Sequence, residues 1–258
     1  MSWDPARYDL FQRQRRRPAL DLLAAALDWV GVARPARVAD LGCGGGFLAS
    51  RLAEHWPEAE VTGVDGSAAM LEQARQSTTR VRWQQAELAS WRPEAPLDLI
   101  ISNAALHWLG DHQTLFLRLL AGLGRGGVLA VQMPRNFVAP SHALLAETIA
   151  AGPWAARFAD RPGPAPVPEP ERYVDWLAPR AADLELWETI YLHRLTGEDP
   201  VLNWTRGTAL LPVLERLSES EQTAFLAAYG ARLRTAYPRR SDGTTLFPFR
   251  RLFLLARA

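Results

Sequence analysis

Between residues 37 and about 134, short apolar runs of β type alternate with stretches whose apolar positions recur at helical spacing. The strand-like runs are RVADLG (37–42), EVTGVD (60–65), RVRWQQA (80–86), LDLIISN (97–103) and GGVLAVQM (126–133), and helical patterns cover 47–56, 67–76 and 111–121. This alternation predicts an α/β domain on a doubly wound, largely parallel sheet. The runs are almost continuously apolar, as strands covered by helices on both faces are. Upstream, RPALDLLAAALDWVG predicts an amphipathic helix over about 18–30, ended by Gly31, with Arg34 and Pro35 turning the chain into the first strand.

Past 134 the rhythm changes. A helical stretch around 141–151 is followed by DRPGPAPVPEPE, whose five prolines (Pro162, Pro164, Pro166, Pro168, Pro170) forbid a helix and mark a lid or linker. RYVDWL is helical, LELWETIYLHRL strand-like, 199–206 and 218–236 helical, and TLFPFRRLFLLARA a last strand. The late strands are expected to rejoin the sheet, giving seven, and the helices between them to cap its carboxyl edge, where ligands of open α/β sheets bind. The chain thus divides into 1–135, a helical segment plus core, and 136–258, cap insertions plus closing strands, within one structural unit. There are no internal repeats.

Composition narrows the function. The 258 residues are 48% hydrophobic, ample for a buried core, and 29 basic against 28 acidic residues leave no global charge that would select nucleic acid or an anionic membrane. The basic run RQRRRP is short and reads as a solvated helix face. All basic residues other than histidine are arginine, because the chain has no lysine. One cysteine, Cys43, excludes an intrachain disulfide and points to a reducing compartment, by default the cytoplasm. No stretch reaches the roughly 18 apolar residues of a spanning helix, and the start lacks an apolar signal core. His55, His112, His142 and His193 show no metal-ligand spacing, and Trp29, Trp56, Trp176 and Trp187 fall at amphipathic positions expected in the core.

The candidate chemistry lies at strand ends. In DLGCGGG, Gly42 and Gly44 can take positive φ and bring bare backbone against a ligand. The third glycine of a dinucleotide G-x-G-x-x-G would fall at position 47, which is Phe47, and Asp40 beside the turn repels phosphates while suiting a cationic or hydroxyl-rich ligand. Asp65, ending the second strand, can accept from both ribose hydroxyls of a nucleoside, as it also would in a nicotinamide site. Ala86 and Glu87 follow the third strand where an adenine would lie, with Glu87 as acceptor for its exocyclic amine. Asn103, Ala104, His107 and Trp108 close the fourth strand at the reactive end.

Together DLGCGGG, GVDGSAAMLEQAR, AELASW and DLIISNAALHWL resemble the successive cofactor motifs of class I S-adenosylmethionine-dependent methyltransferases. SWDPARYDLF, RRPALDLL, GGVLAVQMP, SESEQTAFL and RRLFLLA extend the resemblance to trans-aconitate 2-methyltransferases over nearly the whole chain. The resemblance implies a Rossmann-like, doubly wound seven-stranded sheet, mostly parallel with the last strand antiparallel, under a helical cap. It also implies S-adenosyl-L-methionine as cofactor, with Asp40, Gly42 and Gly44 at the methionine moiety, Asp65 at the ribose, Met70 and Glu87 at the adenine, Asn103 near the sulfonium, and Gly66 and Ala104 as further cofactor-binding residues. Trp108 would border the transferring methyl. The family's closing F-P-R-L-F reads FRRLF here, so Arg251 keeps the matching place, Arg250 is extra, and which of them faces the pocket stays open.

The implied reaction is esterification of a small polycarboxylate. A carboxylate, with a pKa of about 4, is already ionised at neutral pH, so no general base is assigned and His107 and Trp108 are given positioning roles. The remaining carboxylates need guanidinium partners, for which Arg17, Arg250 and Arg251 are candidates, with His107 a weaker one and Tyr8 beside them. Trp3, Tyr8 and Phe11 form either an N-terminal flap or a packed terminus. Competing readings are a methyltransferase acting on a malonyl thioester of a carrier protein, a nicotinamide-dependent oxidoreductase, disfavoured by Phe47 and by the lack of a Tyr-x-x-x-Lys pair, and a non-catalytic cofactor-binding module.

Overall fold

In the computed structural model, which describes residues 12–31, 34–160 and 167–258, the five early apolar runs are strands: β1 (Arg37–Leu41), β2 (Glu60–Asp65), β3 (Val81–Gln85), β4 (Leu97–Asn103) and β5 (Leu123–Pro134). Helices α1 (Gln12–Val30), α2 (Phe47–His55), α3 (Ala68–Arg75) and α4 (His112–Ala121) accompany them. Two boundaries differ from the sequence reading for local reasons. Helix α1 starts before Pro18 rather than at it, so this proline stands inside the helix, at the cost of its own N–H bond and of crowding against the carbonyl one turn earlier. Strand β5 starts at Leu123, running through glycines where its pairing with β4 slips between Leu97 and Leu99. A Cβ on Gly127 would sit 2.7 Å from the Leu97 carbonyl oxygen, so the irregularity needs glycine there.

The later elements are α5 (Pro140–Ala151), α6 (Pro170–Leu177), β6 (Asp183–Leu195), α7 (Pro200–Arg206), α8 (Leu211–Leu214), α9 (Glu219–Ala236) and β7 (Thr245–Arg257). Helix α6 begins on the last proline of the Pro-rich stretch, which sits at the first helical position, where a fixed φ helps and no amide partner is lost. The one-turn α8 and the 3₁₀ turns at 106–108 and 155–158 carry no periodicity in the sequence and were not expected.

The seven strands are ordered β3-β2-β1-β4-β5-β7-β6. Strands β1 to β5 pair in parallel, and β7 runs antiparallel to β5, from Val128 opposite Arg257 to Pro134 opposite Arg251. The strand order reverses between β1 and β4, which places a ligand crevice beyond their carboxyl ends. Two compact units divide the chain: a larger one of Arg17–Pro134, Ala165–Thr189 and Arg251–Ala258, and a smaller one of Met1–Arg16, Arg135–Pro164 and Ile190–Arg250.

The larger unit buries Val38, Leu99, Ile100, Ile101, Val128 to Val131 and Leu252 to Ala256 along its central strands. The smaller unit has its own core, in which Trp154, Trp204, Phe225, Tyr229 and Phe247 pack together. There the Tyr229 hydroxyl donates to the Ser141 carbonyl (2.7 Å) and the Ser141 amide donates to the Tyr237 hydroxyl (3.1 Å), so α9 holds the start of α5 by two buried bonds. Trp29, Trp56, Trp176 and Trp187 are only half-buried, whereas the buried tryptophans among the described residues are Trp91, Trp154 and Trp204. Long amphipathic aromatics settle at the rim of a helix or strand face, where one ring edge stays wet. Among the described residues no helix is long and apolar enough to cross a membrane, and no group of three His, Cys, Asp or Glu is placed to hold a metal ion.

Candidate active site

The turn after β1 is tied to β2: the amides of Gly42 and Cys43 both donate to the Val64 carbonyl, at 2.8 and 3.1 Å. Gly42, Gly44 and Gly46 have φ of 71°, 52° and 83°. Their surroundings differ. A Cβ on Gly42 would lie 2.1 Å from the Ala105 methyl and one on Gly46 2.5 Å from the Trp83 ring, but one on Gly44 would meet nothing nearer than Met70 Cε at 4.0 Å. Gly42 and Gly46 are glycine for close packing, and Gly44 faces open space. Cys43 is buried among these groups, and burial pushes its thiol pKa up, so it packs rather than reacts.

Three carboxylates surround this opening. Asp40, buried at the end of β1, accepts from the Ala49 amide (3.0 Å) and so caps α2 from the strand, since the helix's own N-cap, Gly46, has no side chain. Burial, reinforced by the charge of Asp65, pushes its pKa up to about 7, with the Ala49 bond pulling the other way. Asp65 accepts from the Gly44 amide through Oδ2 (2.9 Å) and from the Ser67 amide through Oδ1 (2.8 Å), leaving a lone pair on each oxygen for hydroxyl donors. Glu87 is exposed, and its Oε1 lies 3.7 Å from where a Cβ on Gly66 would be, so the lack of a side chain at Gly66 keeps Asp65 and Glu87 on one uninterrupted surface. Ser67 caps α3 by accepting from the Met70 amide (3.3 Å), which sets Met70 over Gly44. A diphosphate would meet three acids here and a helix amide already taken by Asp40. A nucleoside carrying a cationic tail fits: hydroxyls to Asp65, an amine to Glu87, positive charge near Asp40.

The other end of the crevice belongs to β4, β5 and β7. Asn103 ends β4 with a buried Oδ1 that has no partner, and Ala104 takes a φ of 52° while its amide donates to the Gln132 carbonyl (2.9 Å). This left-handed step, unusual without glycine, turns the chain into the 3₁₀ turn carrying His107 and Trp108, whose rings lie 4.6 Å apart. His107 Nδ1 is buried without a partner, and burial, then the Arg251 charge, lower its pKa to about 3, so the ring is neutral. Trp108 is 67% exposed.

Arg251 is only 4% exposed and stands opposite Pro134 at the end of β5, where its Nη1 donates to Gln132 Oε1 (3.4 Å). Arg250, next on the strand and therefore facing the other way, is half-buried, and its amide donates to Asn136 Oδ1 (3.2 Å). Arg17 is exposed on α1 and paired with Asp21 at 2.7 Å. Tyr8, with Trp3 and Phe11, lies outside the described residues.

The structure thus brings together Asp40, Gly44, Asp65, Gly66, Met70 and Glu87 at one end, and Asn103, Ala104, His107 and Arg251 at the other. Three neighbours escaped the sequence reading. Gln132 was legible as the one polar side chain in VLAVQM; Trp83, whose ring requires glycine at both 46 and 63, and Ala105, which fills the space at Gly42, had no signal.

Residues 38–127 match a family described as a methyltransferase domain. The trans-aconitate 2-methyltransferase of Azoarcus sp. (strain BH72) is 51% identical over 99% of this chain and 98% of its own length, and that of Methylobacterium radiotolerans is 44% identical with the same coverage of each. Among solved structures, the YcgJ protein of Bacillus subtilis superposes with a TM-score of 0.58 at 16% identity, covering 92% of this chain and 98% of that one. Haemonchus contortus phosphoethanolamine N-methyltransferase 2, in complex with S-adenosyl-L-methionine, gives 0.53 at 17% identity, covering 92% and 52%. Those distant likenesses concern the fold, while identity over full length settles the lineage: the chain belongs to the trans-aconitate 2-methyltransferases, enzymes of the S-adenosylmethionine-dependent methyltransferase class.

Proposed function

We propose that this enzyme transfers the methyl group of S-adenosyl-L-methionine to a carboxylate of trans-aconitate or a similar small polycarboxylate. The observation that carries the reading is the buried Arg251 beside a neutral His107 at the carboxyl ends of β4 and β5. A planar guanidinium held there is a bidentate partner for a carboxylate, and no group beside it is tuned as a base.

S-adenosylmethionine supplies a methyl group on a cationic sulfur, open to in-line attack. Asp65 accepts from the ribose hydroxyls while staying fixed by Gly44 and Ser67. Glu87 takes the adenine amine across Gly66, and Met70 lies on the adenine face. Asp40 and Gly44 hold the methionine end, with Gly42 bending the turn beneath them against Ala105, and Asn103 and Ala104 stand by the sulfonium. Arg251 pairs a non-reacting carboxylate of the acceptor, and His107 and Trp108 orient the reacting one. That oxygen is ionised at neutral pH with a pKa of about 4, so the protein aligns it and strips its water, an effect worth roughly 7–11 kcal/mol. Of the other candidates for a carboxylate, Arg250 faces away from Arg251 on β7 and Arg17 is paired with Asp21, and Tyr8 lies outside the described residues. The near-neutral charge and the single buried cysteine favour a cytoplasmic enzyme working on free acids, with neither nucleic acid nor membrane as partner.

The test is transfer of labelled methyl to trans-aconitate, cis-aconitate, citrate, isocitrate and a malonyl carrier protein. Base-labile label on trans-aconitate is expected. Label confined to the carrier protein, or none on any small acid, overturns the acceptor.

A further inference from the structure

Gln132 lies on a central strand, fully buried, between Val131 and Met133. An amide in that setting is costly unless each polar atom has a partner, yet its Nε2 has none. Its amide assignment is fixed by chemistry: Oε1 accepts from Arg251 Nη1, and since a guanidinium has only donors, the atom beside it must be the oxygen and the atom left without a partner the NH₂. Asn103 stands opposite Gln132 in the β4–β5 register, so the two amide side chains occupy one face of the sheet. The β5–β7 side thus sets an amide donor without a partner next to a buried guanidinium that already bonds the same side chain, a pair of donors suited to one carboxylate.

We infer that Gln132 and Arg251 form a two-pronged grip on one non-reacting carboxylate of the acceptor, with Gln132 Nε2 donating to it, and that this grip selects polycarboxylates over monoacids. The inference rests on the reading of the acceptor given above. Gln132 touches the substrate in this arrangement and also holds Arg251 in place.

The experiment measures binding of trans-aconitate by calorimetry to the protein saturated with S-adenosylhomocysteine, so that no turnover is needed. In Gln132→Glu, which removes the donor and sets an anion against Arg251, the dissociation constant rises about 100-fold. In Gln132→Met, of similar length and apolar, it rises about tenfold. In both variants the S-adenosylhomocysteine affinity stays within about twofold of wild type, because the grip acts away from the cofactor. Acceptors with one carboxylate replaced by a carboxamide separate contact from mere structural support. For the analogue altered at the gripped position, Gln132→Glu loses most of its penalty, since the amide can donate to the new carboxylate, which a packing defect would not produce. Unchanged trans-aconitate affinity in both variants, equal loss of S-adenosylhomocysteine affinity, or the same penalty for every carboxamide analogue overturns the grip. A wild type that binds trans-aconitate through Gln132 without methylating it keeps the grip and sinks the proposed acceptor, whereas a wild type that binds no polycarboxylate sinks the grip.

Discussion

The two ends of the crevice are built differently. At the β1–β2 end the carboxylates and the turn are tied to backbone: Asp65 is held by two backbone amides, Asp40 by a third, and the glycine turn by two bonds to Val64, and the one buried polar atom left over there is the indole Nε1 of Trp83. At the β4–β5–β7 end Asn103, His107 and Gln132 each keep a buried polar atom without a partner. The first end is a preformed mould whose shape is set by backbone. The second is assembled from side chains on three strands, with buried polar atoms that no other protein group satisfies, which is the arrangement expected where one ligand is common to many enzymes and the other must be discriminated.

The sharpest way to break this comparison is to remove one charged group from each end. Asp65→Ala frees the Gly44 and Ser67 amides and removes the acceptor for two hydroxyls; with charge-assisted bonds worth about 1.5–3 kcal/mol each, cofactor affinity falls about 100-fold or more. Arg251→Ala raises KM for the polycarboxylate about 30- to 100-fold and leaves cofactor affinity within about twofold. Titration calorimetry with S-adenosylhomocysteine, set beside steady-state KM, reads both. Equal losses of the two affinities in Arg251→Ala would mean the ends are not separable.

The same contrast explains what the sequence could and could not reveal. Gly44, Asp65 and Glu87 are specified by short motifs at strand ends, because a turn and a strand terminus are local structures whose residue requirements show in neighbouring positions. The parallel sheet was equally legible, since continuous apolar runs such as LDLII have few other uses. Arg251 came only from a resemblance, and Gln132 was passed over, because their meeting depends on β7 returning antiparallel beside β5 with Pro134 opposite Arg251, a register that no local pattern encodes. The alternation of β7 then decides between its two arginines, burying Arg251 and leaving Arg250 half-exposed. Trp83 illustrates the limit from the other side: its partners Gly46 and Gly63 look like ligand-binding or strand-weakening glycines until the indole is seen filling the space above both.

A smaller effect sharpens the contrast within the cofactor end. Asp40 is buried with its pKa raised to about 7, so in the free protein it carries a proton over much of the neutral range, and a cationic ligand group nearby would expel it. Asp40→Asn should therefore weaken cofactor binding about tenfold at pH 8, the scale of one charge-assisted bond, and flatten the rise of affinity that the wild type shows between pH 6 and 8. Calorimetry in buffers of different ionisation enthalpy would count the released proton. A wild-type affinity that does not rise with pH sinks this role for Asp40.

The least of the expected effects sets one residue of each end against the other in stability alone. Asp40 has a raised folded pKa, about 7 against 3.8, so between those values the folded state binds more protons than the unfolded one and this group makes stability fall as pH rises. His107 has a lowered folded pKa, about 3 against 6.5, so over nearly the same window the unfolded state binds more protons and stability rises with pH. The two slopes, each at most about 1.4 kcal/mol per pH unit, oppose one another in the wild type. His112 and His142, whose pKa values burial also lowers, add to the His107 direction but are common to every variant. Relative to wild type, Asp40→Asn should gain melting temperature as pH climbs from 4 to 7, and His107→Gln should gain it as pH drops over the same range. Difference curves of one common slope would show that burial is not what sets the charge of these two groups, and with that the contrast between a satisfied and an unsatisfied end would lose its electrostatic basis.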